Sequence, residues 1–304
     1  MGPELSVVVA TRDRPQMLEE CLAALERSVA PDDEVIVVDS ASNPHNASLV
    51  AAAAERHGAR LVVCHLPGAS LARNTGWHAG RHVVVAFVDD DVRVSATWAD
   101  GVRGVFDGHR AVAFVTGRLA LDESGEAAER PVAHFDRADA GVIDQTTARE
   151  FGHGANLAVR RGALEAVGGY AEEFGPGARW PAAEDLELLD RLLGAGFAGR
   201  YEPSAVATHV QWRARRDLVP LEWSYGVGQG ARLARLWSSD RPRARLVGRP
   251  ILWDDGARDL ARCVRRGYEF GALLALTRLA ATARGALGYA LTNVRSGRGA
   301  RGDR

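Results

Sequence analysis

The stretch that decides the fold is Val83-Val84-Val85-Ala86-Phe87-Val88-Asp89-Asp90-Asp91, in which six apolar residues run directly into three carboxylates. The apolar run is too short to cross a membrane, so we interpret it as a buried strand, typical of a parallel sheet. Ligands of open α/β sheets bind beyond the carboxyl ends of the strands. The three acids are therefore predicted to lie where a ligand would bind.

These acids are candidates for metal binding. Three adjacent carboxylates repel one another unless a cation lies between them, and oxygen ligands on a short loop suit Mg²⁺ or Mn²⁺ carried in by a phosphate. The alternative is that Asp89, Asp90 and Asp91 cap a helix beginning near Ser95 or simply face water.

The same alternation of short apolar strands and helices surrounds this stretch. Together they predict an α/β sheet, mostly parallel, with its strand ends gathered on one edge. The predicted strands cover residues 5–11, 34–40, 60–66, 82–91, 112–121 and 200–209. A helix is predicted from Pro15, followed by the helical spacing of Met17, Leu18, Cys21, Leu22 and Leu25. Further helices are predicted at 46–57, 70–79, 95–107 and 181–193, and the chain is predicted to be helical from 216 onward. The polar segment 122–148 is predicted to be a functional loop.

Composition excludes several kinds of chemistry. The chain has 304 residues, 46% of them hydrophobic and 25% charged, with a net charge of -1. All 38 basic residues are arginine, which rules out Schiff-base and P-loop lysines. The three cysteines lack CxxC spacing, which indicates neither a disulfide framework nor a zinc site. We therefore expect a reducing, cytoplasmic location, and the N-terminus has no signal-peptide pattern.

Charge is distributed unevenly along the chain. After residue 256, ten arginines face three acids, a net charge of +7, so the first 256 residues carry -8. With the apolar run 270–276, this basic end suggests peripheral contact at the inner face of the plasma membrane. The alternative is a helix pair packed over the sheet with solvated arginines.

Six motifs, in order over residues 5 to about 210, resemble the inverting family 2 glycosyltransferases, which have a GT-A fold. The resemblance is to that family's first strand and turn, its VDDGS, A-R-N-x-G and DxD motifs, its second acidic signature, and a closing strand that ends in histidine. The matching stretches are VVVATRDRP (7–15), VIVVDSAS (35–42), LARNTG (71–76), FVDDD (87–91), GHGANLAVRR through EDLELLDRLL (152–193) and YEPSAVATH (201–209).

The resemblance implies a role for each matching position. Residues implied to contact the donor nucleotide are Thr11, Arg12, Asp39, Arg73, Asn74, Asp89 and Asp90. Asp91 and His209 are implied to hold the metal, with Asp185 as general base and Glu184 orienting it. Candidates on the acceptor side are His153, Asn156 and Trp180. Ser40 departs from the family pattern, which has a second aspartate there.

The predicted activity is metal-assisted transfer of a sugar from a nucleoside-diphosphate sugar, with UDP favoured, to an acceptor hydroxyl with inversion. The acceptor is left open among a glycan, a lipid-linked glycan and a small molecule. Gln211-Trp212-Arg213 has the letters of the family's processivity motif in the wrong spacing, which predicts a non-processive enzyme. The predicted domains are 1–215, with a nucleotide-sugar half at 1–121 and an acceptor half at 122–215, and a helical region at 216–304 with a basic tail.

Other functions fit the sequence less well. A nicotinamide-binding domain needs a GxGxxG turn after the first strand, where this chain has Thr11-Arg12-Asp13-Arg14. A sugar nucleotidyltransferase would need a glycine-rich phosphate loop and normally a lysine. A catalytically silent nucleotide-sugar-binding or scaffold protein would keep the sheet, but this chain also keeps both acidic motifs. Binding to nucleic acid is not predicted, because the C-terminal arginines lack interleaved aromatics.

Overall fold

The computed structural model describes residues 2–122, 134–147 and 152–299, with side chains described as far as residue 292. Its contacts divide the chain into two compact units. The first unit comprises residues 1–172 and 188–212, and the second comprises residues 173–187 and 213–304. The predicted domain boundary after residue 215 stays a prediction, since the segment 173–187 groups with the C-terminal helices.

The first unit is built on one mixed sheet. Within the described residues this sheet has nine strands, eight of them in the order β3-β2-β1-β4-β8-β6-β9-β5, with β7 pairing to β9. They are β1 (Leu5–Thr11), β2 (Glu34–Ser40), β3 (Arg60–Cys64), β4 (Val84–Asp89), β5 (Val92–Val94), β6 (Val112–Leu121), β7 (Gly141–Ile143), β8 (Asn156–Arg160) and β9 (Ala198–His209).

Parallel pairing holds β3, β2, β1 and β4 together, as the alternating pattern predicted. Beyond β4 the directions mix, because β8 runs antiparallel to both β4 and β6 while β9 is parallel to β6. β4 itself ends at Asp89, and a turn through Asp90 and Asp91 leads into the short strand β5. The α/β fold class is confirmed, and the mixed half is a feature that strand patterns alone did not indicate.

Helices flank this sheet. They are α1 (Pro15–Glu26), α2 (Pro44–Arg56), α3 (Ala69–Ala79), α4 (Trp98–Gly108), α5 (Arg161–Val167) and α6 (Glu184–Gly194). Pro15 and Pro44 each stand in the first turn of their helix, where a missing N–H costs no hydrogen bond. α6 belongs to the second unit through residue 187 and to the first unit from residue 188.

Helix α3 lies very close to the sheet because of one glycine. A Cβ on Gly76 would lie 2.3 Å from Val8 Cγ1 and 3.0 Å from Val38 Cγ2. Any side chain here would push α3 away from β1 and β2. Gly76 thereby helps to fix the positions of Arg73 and Asn74, one turn earlier on the same helix.

The second unit is helical. It contains α7 (Arg215–Ser239), α8 (Arg241–Arg249), a π-helical segment (Pro250–Arg258), α9 (Asp259–Arg265) and α10 (Glu269–Gly299). α7 and α10 approach closely at Gly230, where a Cβ would lie 2.0 Å from the carbonyl oxygen of Thr282. A bidentate ion pair from Arg278 to Glu222 joins the same two helices at 2.6 and 2.7 Å. None of the helices in the described part of the chain is both long enough and apolar enough to span a bilayer.

The predicted loop 122–148 is described only in part. Residues 134–147 contain the short strand β7, while residues 123–133 and 148 lie outside the described residues. The helix predicted at 181–193 begins at Glu184 instead, because Ala183 has a φ of 67°, which helical backbone cannot adopt.

Candidate active site

The carboxyl ends of β1, β2 and β4 form one edge of the sheet. In the strand register Thr11 is opposite Asp39, and Asp89 is opposite Ala10 on the other side of β1. Three of the predicted donor-binding residues therefore lie at neighbouring strand ends. This is the edge at which ligands of open α/β sheets bind.

Asp90 is held by two groups from the turn after β1. The Thr11 hydroxyl donates to its Oδ2 at 2.8 Å, and Arg14 NH1 donates to its Oδ1 at 2.9 Å. Burial, joined by the adjacent carboxylates of Asp91 and Asp89, raises the pKa of Asp90 to about 6, although Arg14 and Thr11 act in the opposite direction. This carboxyl therefore resists ionisation more than an ordinary aspartate.

Asp91 has three neighbours of different chemistry. The indole N–H of Trp212 donates to its Oδ2 at 2.9 Å, Arg14 NH1 lies 3.5 Å from the same oxygen, and His209 Nε2 lies 3.5 Å from Oδ1. Asp91 and His209 are only 5% and 4% exposed. The structure thus brings the two predicted metal ligands together at the end of β9.

Backbone and side-chain bonds fix the orientation of His209. Val92 pairs with His209 in the sheet, and the amide of Val210 donates to the carbonyl of Asp91 at 3.0 Å. Its ring Nδ1 lies 2.8 Å from Gln211 Nε2, so Nε2 is the nitrogen that faces Asp91. A side-chain amide can turn to accept from Nδ1–H, which would leave Nε2 available as a ligand atom.

Asp89 pairs with the predicted diphosphate residue Arg73. Arg73 NH2 donates to Asp89 Oδ1 at 2.7 Å, and its guanidinium carbon lies 5.4 Å from the centre of the Tyr170 ring. Burial is the largest influence on Asp89 and would raise its pKa, but the charge and hydrogen bond of Arg73 prevail, so that the pKa is lowered. Asp89 is therefore ionised in its pair with Arg73.

Two of the predicted donor-binding residues, Arg12 and Asn74, contact groups other than the three carboxylates. The side chain of Arg12 is 51% exposed and its nearest ionic partner is Asp13, at 3.8 Å. Arg14, not Arg12, reaches the carboxylates. Asn74 is buried and binds backbone, since its Nδ2 donates to the carbonyl of Tyr170 at 2.9 Å and its Oδ1 accepts from the amide of Tyr170 at 2.8 Å.

Asp39 lines a pocket of about 520 Å³ between α2 and β3. The other lining residues are Ala41, Ser42, Ala47, Ser48, Ala51, Leu61, Val63 and His65. Asp39 Oδ1 accepts from the amide of Ser42 at 3.0 Å. Ser40, where the family has aspartate, has a structural role here, because its hydroxyl accepts from the amide of Gly68 at 3.1 Å.

Strained backbone coincides with the predicted site residues. Among the described residues, the non-glycine positions with positive φ are Asp13, Ala41 and Ala183, at 57°, 57° and 67°. They adjoin Arg12, follow Asp39 by two positions, and directly precede Glu184. Non-glycine residues in this region are uncommon and tend to occur at functional sites.

The acceptor-side candidates in the first unit differ in exposure. Asn156 is 1% exposed, and its Nδ2 donates to the carbonyls of Arg118 and Ala205, both at 2.9 Å. Its Oδ1 accepts from the indole of Trp98 at 2.8 Å, so it joins β8 to β6, β9 and α4. His153 is half-buried, with Nε2 3.3 Å from the carbonyl of His134.

The second unit carries the predicted catalytic pair. Glu184 and Asp185 form the first turn of α6, where the helix dipole favours carboxylates, and Asp185 Oδ1 accepts from the amide of Leu186 at 2.8 Å. This turn is anchored by Arg235 of α7, whose Nε lies 3.1 Å from Glu187 Oε1. The third acceptor-side candidate, Trp180, is 5% exposed and packs 5.7 Å from the Tyr289 ring of α10.

The donor set of the carboxylate cluster fits a hard divalent cation that shares its coordination with a substrate. Within the described residues no group of three histidine, cysteine or acidic side chains forms a ready-made metal site. Asp91 and His209 instead offer two ligands, and Mg²⁺ or Mn²⁺ is commonly held by one or two carboxylates plus substrate phosphates. The three acids also outnumber Arg14 and Arg73, which leaves negative charge for a cation.

Three residues of this cluster were not predicted from the sequence. Arg14, Gln211 and Trp212 contact Asp90, His209 and Asp91, respectively. The signal for Arg14 was its place directly before Pro15, at the end of the turn that leaves β1. Gln211 and Trp212 follow the predicted metal ligand His209, and a search for partners of that histidine could have found them.

Solved structures define the class of fold. A mannosyltransferase, PcManGT from Pyrobaculum calidifontis in complex with GDP-Man and Mn2+, is 18% identical, with a TM-score of 0.67 over 94% of this chain and 88% of that chain. S. aureus TarS 1-349 in complex with UDP-GlcNAc is 15% identical, with a TM-score of 0.54 over 90% of this chain and 91% of that one. At such identities the likeness shows the fold alone, and it confirms the predicted GT-A type.

The family follows from the sequence match. The family described as Glycosyl transferase family 2 matches residues 6–168, more than half of the 304 residues, and the chain belongs to this family. The match includes the motifs up to Asp91 and ends before Asp185 and His209, and the roles of the site residues inside and beyond it stay predictions.

Two curated relatives are similar over part of their length. The "Pre-mycofactocin glycosyltransferase" of Mycobacterium tuberculosis (strain ATCC 25618 / H37Rv) is 30% identical over 245 residues, covering 76% of this chain and 47% of that protein. The "Uncharacterized glycosyltransferase EpsJ" of Bacillus subtilis (strain 168) is 35% identical over 98 residues, covering 32% of this chain and 28% of that protein. The chain thus spans about half the length, or less, of these relatives.

Proposed function

We propose that the chain transfers a sugar from a nucleoside-diphosphate sugar to an acceptor hydroxyl, with inversion and without processivity. The observation that carries this proposal is the cluster in which Arg14, Arg73 and His209 surround the carboxylates of Asp89, Asp90 and Asp91. It lies at the ligand-binding edge of a family 2 glycosyltransferase fold, and its mixed charges suit a metal-bound diphosphate.

The donor would be bound by its nucleotide part. Asp39 lines the pocket of about 520 Å³ beside β3 and would contact the base or the ribose. Arg73 would approach the diphosphate, where a guanidinium binds phosphate oxygens in a fixed fork. The sequence favours UDP, and the similar structures were solved with GDP-Man and UDP-GlcNAc, so both bases need testing.

Asp91 and His209 would hold the divalent metal. When bound, Mg²⁺ or Mn²⁺ supplies neutralising charge to the departing diphosphate. In the protein itself, Trp212 orients the side chain of Asp91, and Gln211 orients that of His209. Arg14 would leave Asp91 or share it with the metal, because both cations compete for the same carboxylate.

Inversion requires a base on the acceptor side of the sugar. Asp185, on the first turn of α6, would accept the proton of the acceptor hydroxyl, and Glu184 would orient it. The acceptor is proposed to be a glycan, a lipid-linked glycan or a small molecule. Of the three acceptor-side candidates, Asn156 and Trp180 are buried and would act through the shape of the site, whereas His153 could contact the acceptor directly.

The first test is a donor panel of UDP- and GDP-sugars, with release of nucleoside diphosphate as the readout. Asp91→Asn should lower the rate at least about 100-fold, because even residues that only support a metal ligand contribute 10- to 100-fold. Asp107→Asn, an exposed carboxylate on α4, is the matched control and should leave the rate unchanged. If a chelator and Asp91→Asn both left transfer at its normal rate, the metal assignment would be wrong.

A further inference from the structure

Residues 241–265 form a continuous helical stretch whose outer side combines apolar side chains with arginines. Leu246, Leu252, Trp253 and Val264 are 36%, 50%, 61% and 64% exposed. Exposed arginines stand next to them in the sequence, including Arg245, Arg249 and Arg265. We call this surface, formed by the exposed residues of 241–265, the outer strip.

The inner side of the same stretch is packed. Ala244, Val247 and Cys263 are 5%, 1% and 8% exposed, and Gly256 is also buried. A Cβ on Gly256 would lie 2.4 Å from Leu279 Cδ2 of α10. The packing against α10 fixes which residues face outward, so the exposure of Leu252 and Trp253 is a property of the folded second unit.

Charge on this segment is strongly positive. Between residues 241 and 265 there are seven arginines and three aspartates, a net charge of +4, and six of the seven arginines are exposed. Two of the aspartates pair within the segment, Asp254 with Arg258 and Asp259 with Arg262, both at 3.4 Å. A positive charge of several units therefore accompanies the apolar side chains.

We propose that the outer strip binds the surface of an anionic lipid bilayer. Exposed tryptophan and leucine beside arginine are typical of helices that lie in the membrane interface, with the apolar side chains inserted and the cations at the headgroups. Arginine can bury its apolar stem while its guanidinium stays at the phosphates. Tryptophan is favoured at this depth because its ring is apolar and its N–H is polar.

Other anionic or apolar occupants fit less well. A nucleic acid would match the charge but would leave Leu246, Leu252 and Val264 against phosphates and sugars, with no gain from their burial. A second copy of the chain, docked strip to strip, would bring two positively charged surfaces together, which repel. A lipid surface satisfies both the charge and the apolar side chains.

The outer strip differs from the run 270–276, which the sequence suggested as the apolar part of a membrane contact. Within that run Leu274 and Ala275 are each 1% exposed, because they pack inside the second unit. Leu273 and Leu276 remain 49% and 55% exposed, but the run contains no arginine, whereas α8, the π-helical segment and α9 carry exposed arginines beside exposed apolar side chains.

The experiment is co-flotation of the full chain with vesicles of phosphatidylcholine containing phosphatidylglycerol, compared with vesicles of phosphatidylcholine alone. We expect binding to the anionic vesicles that weakens with salt. Arg245→Gln with Arg249→Gln should lower the partition coefficient roughly fivefold for each charge removed. Trp253→Ser should lower it about tenfold, because part of the indole no longer inserts.

Two matched variants control for charge and for apolar surface elsewhere. Arg27→Gln with Arg110→Gln removes two exposed arginines of the first unit, and Trp223→Ser removes an exposed tryptophan of α7. Both should bind vesicles like the unaltered chain, and thermal unfolding should confirm that every variant is folded. No binding, or equal loss in test and control variants, would overturn the proposal. The proposal would also be overturned if the chain did not bind vesicles but bound DNA or RNA, or self-associated, and Trp253→Ser abolished that interaction.

Discussion

Arg14 shows how a single side chain can organise an acidic cluster. It bonds to Asp90 and approaches Asp91 from one side, and its guanidinium carbon lies 4.8 Å from the centre of the Trp212 ring on the other. Arg14 thereby neutralises part of the negative charge of the cluster. A metal bound with the donor, as proposed above, would take over part of this role, and metal and donor binding would then be mutually dependent.

At the residue scale, the sharpest prediction concerns Asp185. Asp185→Asn keeps the shape of the side chain but cannot accept a proton, so kcat should fall by roughly 10²- to 10⁴-fold. Donor affinity, measured by calorimetry with the nucleoside diphosphate and Mn²⁺, should persist because Asp39, Arg73 and Asp91 are untouched. Glu184→Gln is the neighbouring control and should lose less. Near-normal transfer by Asp185→Asn would rule out Asp185 as the general base, whereas absence of transfer by the unaltered chain would favour a silent nucleotide-sugar-binding protein.

At the element scale, one carboxylate ties the end of α3 to the first strands. Glu34 Oε1, on β2, accepts from the Ser6 hydroxyl and from the amide of Arg81, both at 2.6 Å. The Ser6 oxygen in turn accepts from the amide of His82 at 3.0 Å. Burial would raise the pKa of Glu34, but these hydrogen bonds and the charge of Arg81 outweigh it, and the pKa is lowered.

The sign of that pKa shift gives a prediction for stability. A pKa lower in the folded than in the unfolded state stabilises the fold above the ordinary glutamate pKa, and this contribution is lost as the pH falls through the folded value. Glu34→Gln should therefore lower the free energy of unfolding by about 1 kcal/mol at pH 7 and by less in acid. Urea titrations at pH 7 and below pH 4 would measure both values.

Glu55→Gln, which changes an exposed carboxylate on α2, serves as the control and should leave the free energy of unfolding unchanged at both pH values. An equal loss at both pH values for Glu34→Gln would show that the shape of the side chain matters, and not its ionisation.

The sequence predicted those features that depend on neighbouring residues. Strands β1, β2 and β4 and helices α1 and α3 were predicted correctly because their apolar periodicity is local. The three acids were placed correctly because they follow a buried strand. Contacts between distant segments were not predictable in this way. Arg14, and not the predicted donor residue Arg12, contacts Asp90. The turn that carries both is held at Asp13, whose carboxylate accepts from the amide of Asn43, thirty residues further along the chain, at 2.9 Å.

The same dependence on distant contacts explains why the sequence did not indicate the partners of Asn156 and Trp180. Asn156 lies in a motif that resembles the family, yet its amide holds four elements together, which depends on the antiparallel course of β8. Trp180 packs against Tyr289, more than a hundred residues away. Such partners leave no local pattern in either segment, so only the folded chain identifies them.

At the scale of the whole molecule, the candidate functional groups are distributed over the two compact units. The first unit supplies the sheet, the pocket at Asp39 and the carboxylate cluster. The second unit supplies Asp185 on a turn that Arg235 anchors, together with the outer strip. The proposed reaction is a single displacement at the sugar carbon, with Asp185 proposed as the base.

The most direct test of that claim is the anomeric configuration of the product. A donor whose sugar is α-linked to the diphosphate should be incubated with the full chain, Mn²⁺ and an accepted hydroxyl compound, and the new linkage read from the proton coupling constant by nuclear magnetic resonance. A single displacement predicts a β-linked product. An α-linked product would contradict the account, because retention requires a different mechanism from the one assigned to Asp185.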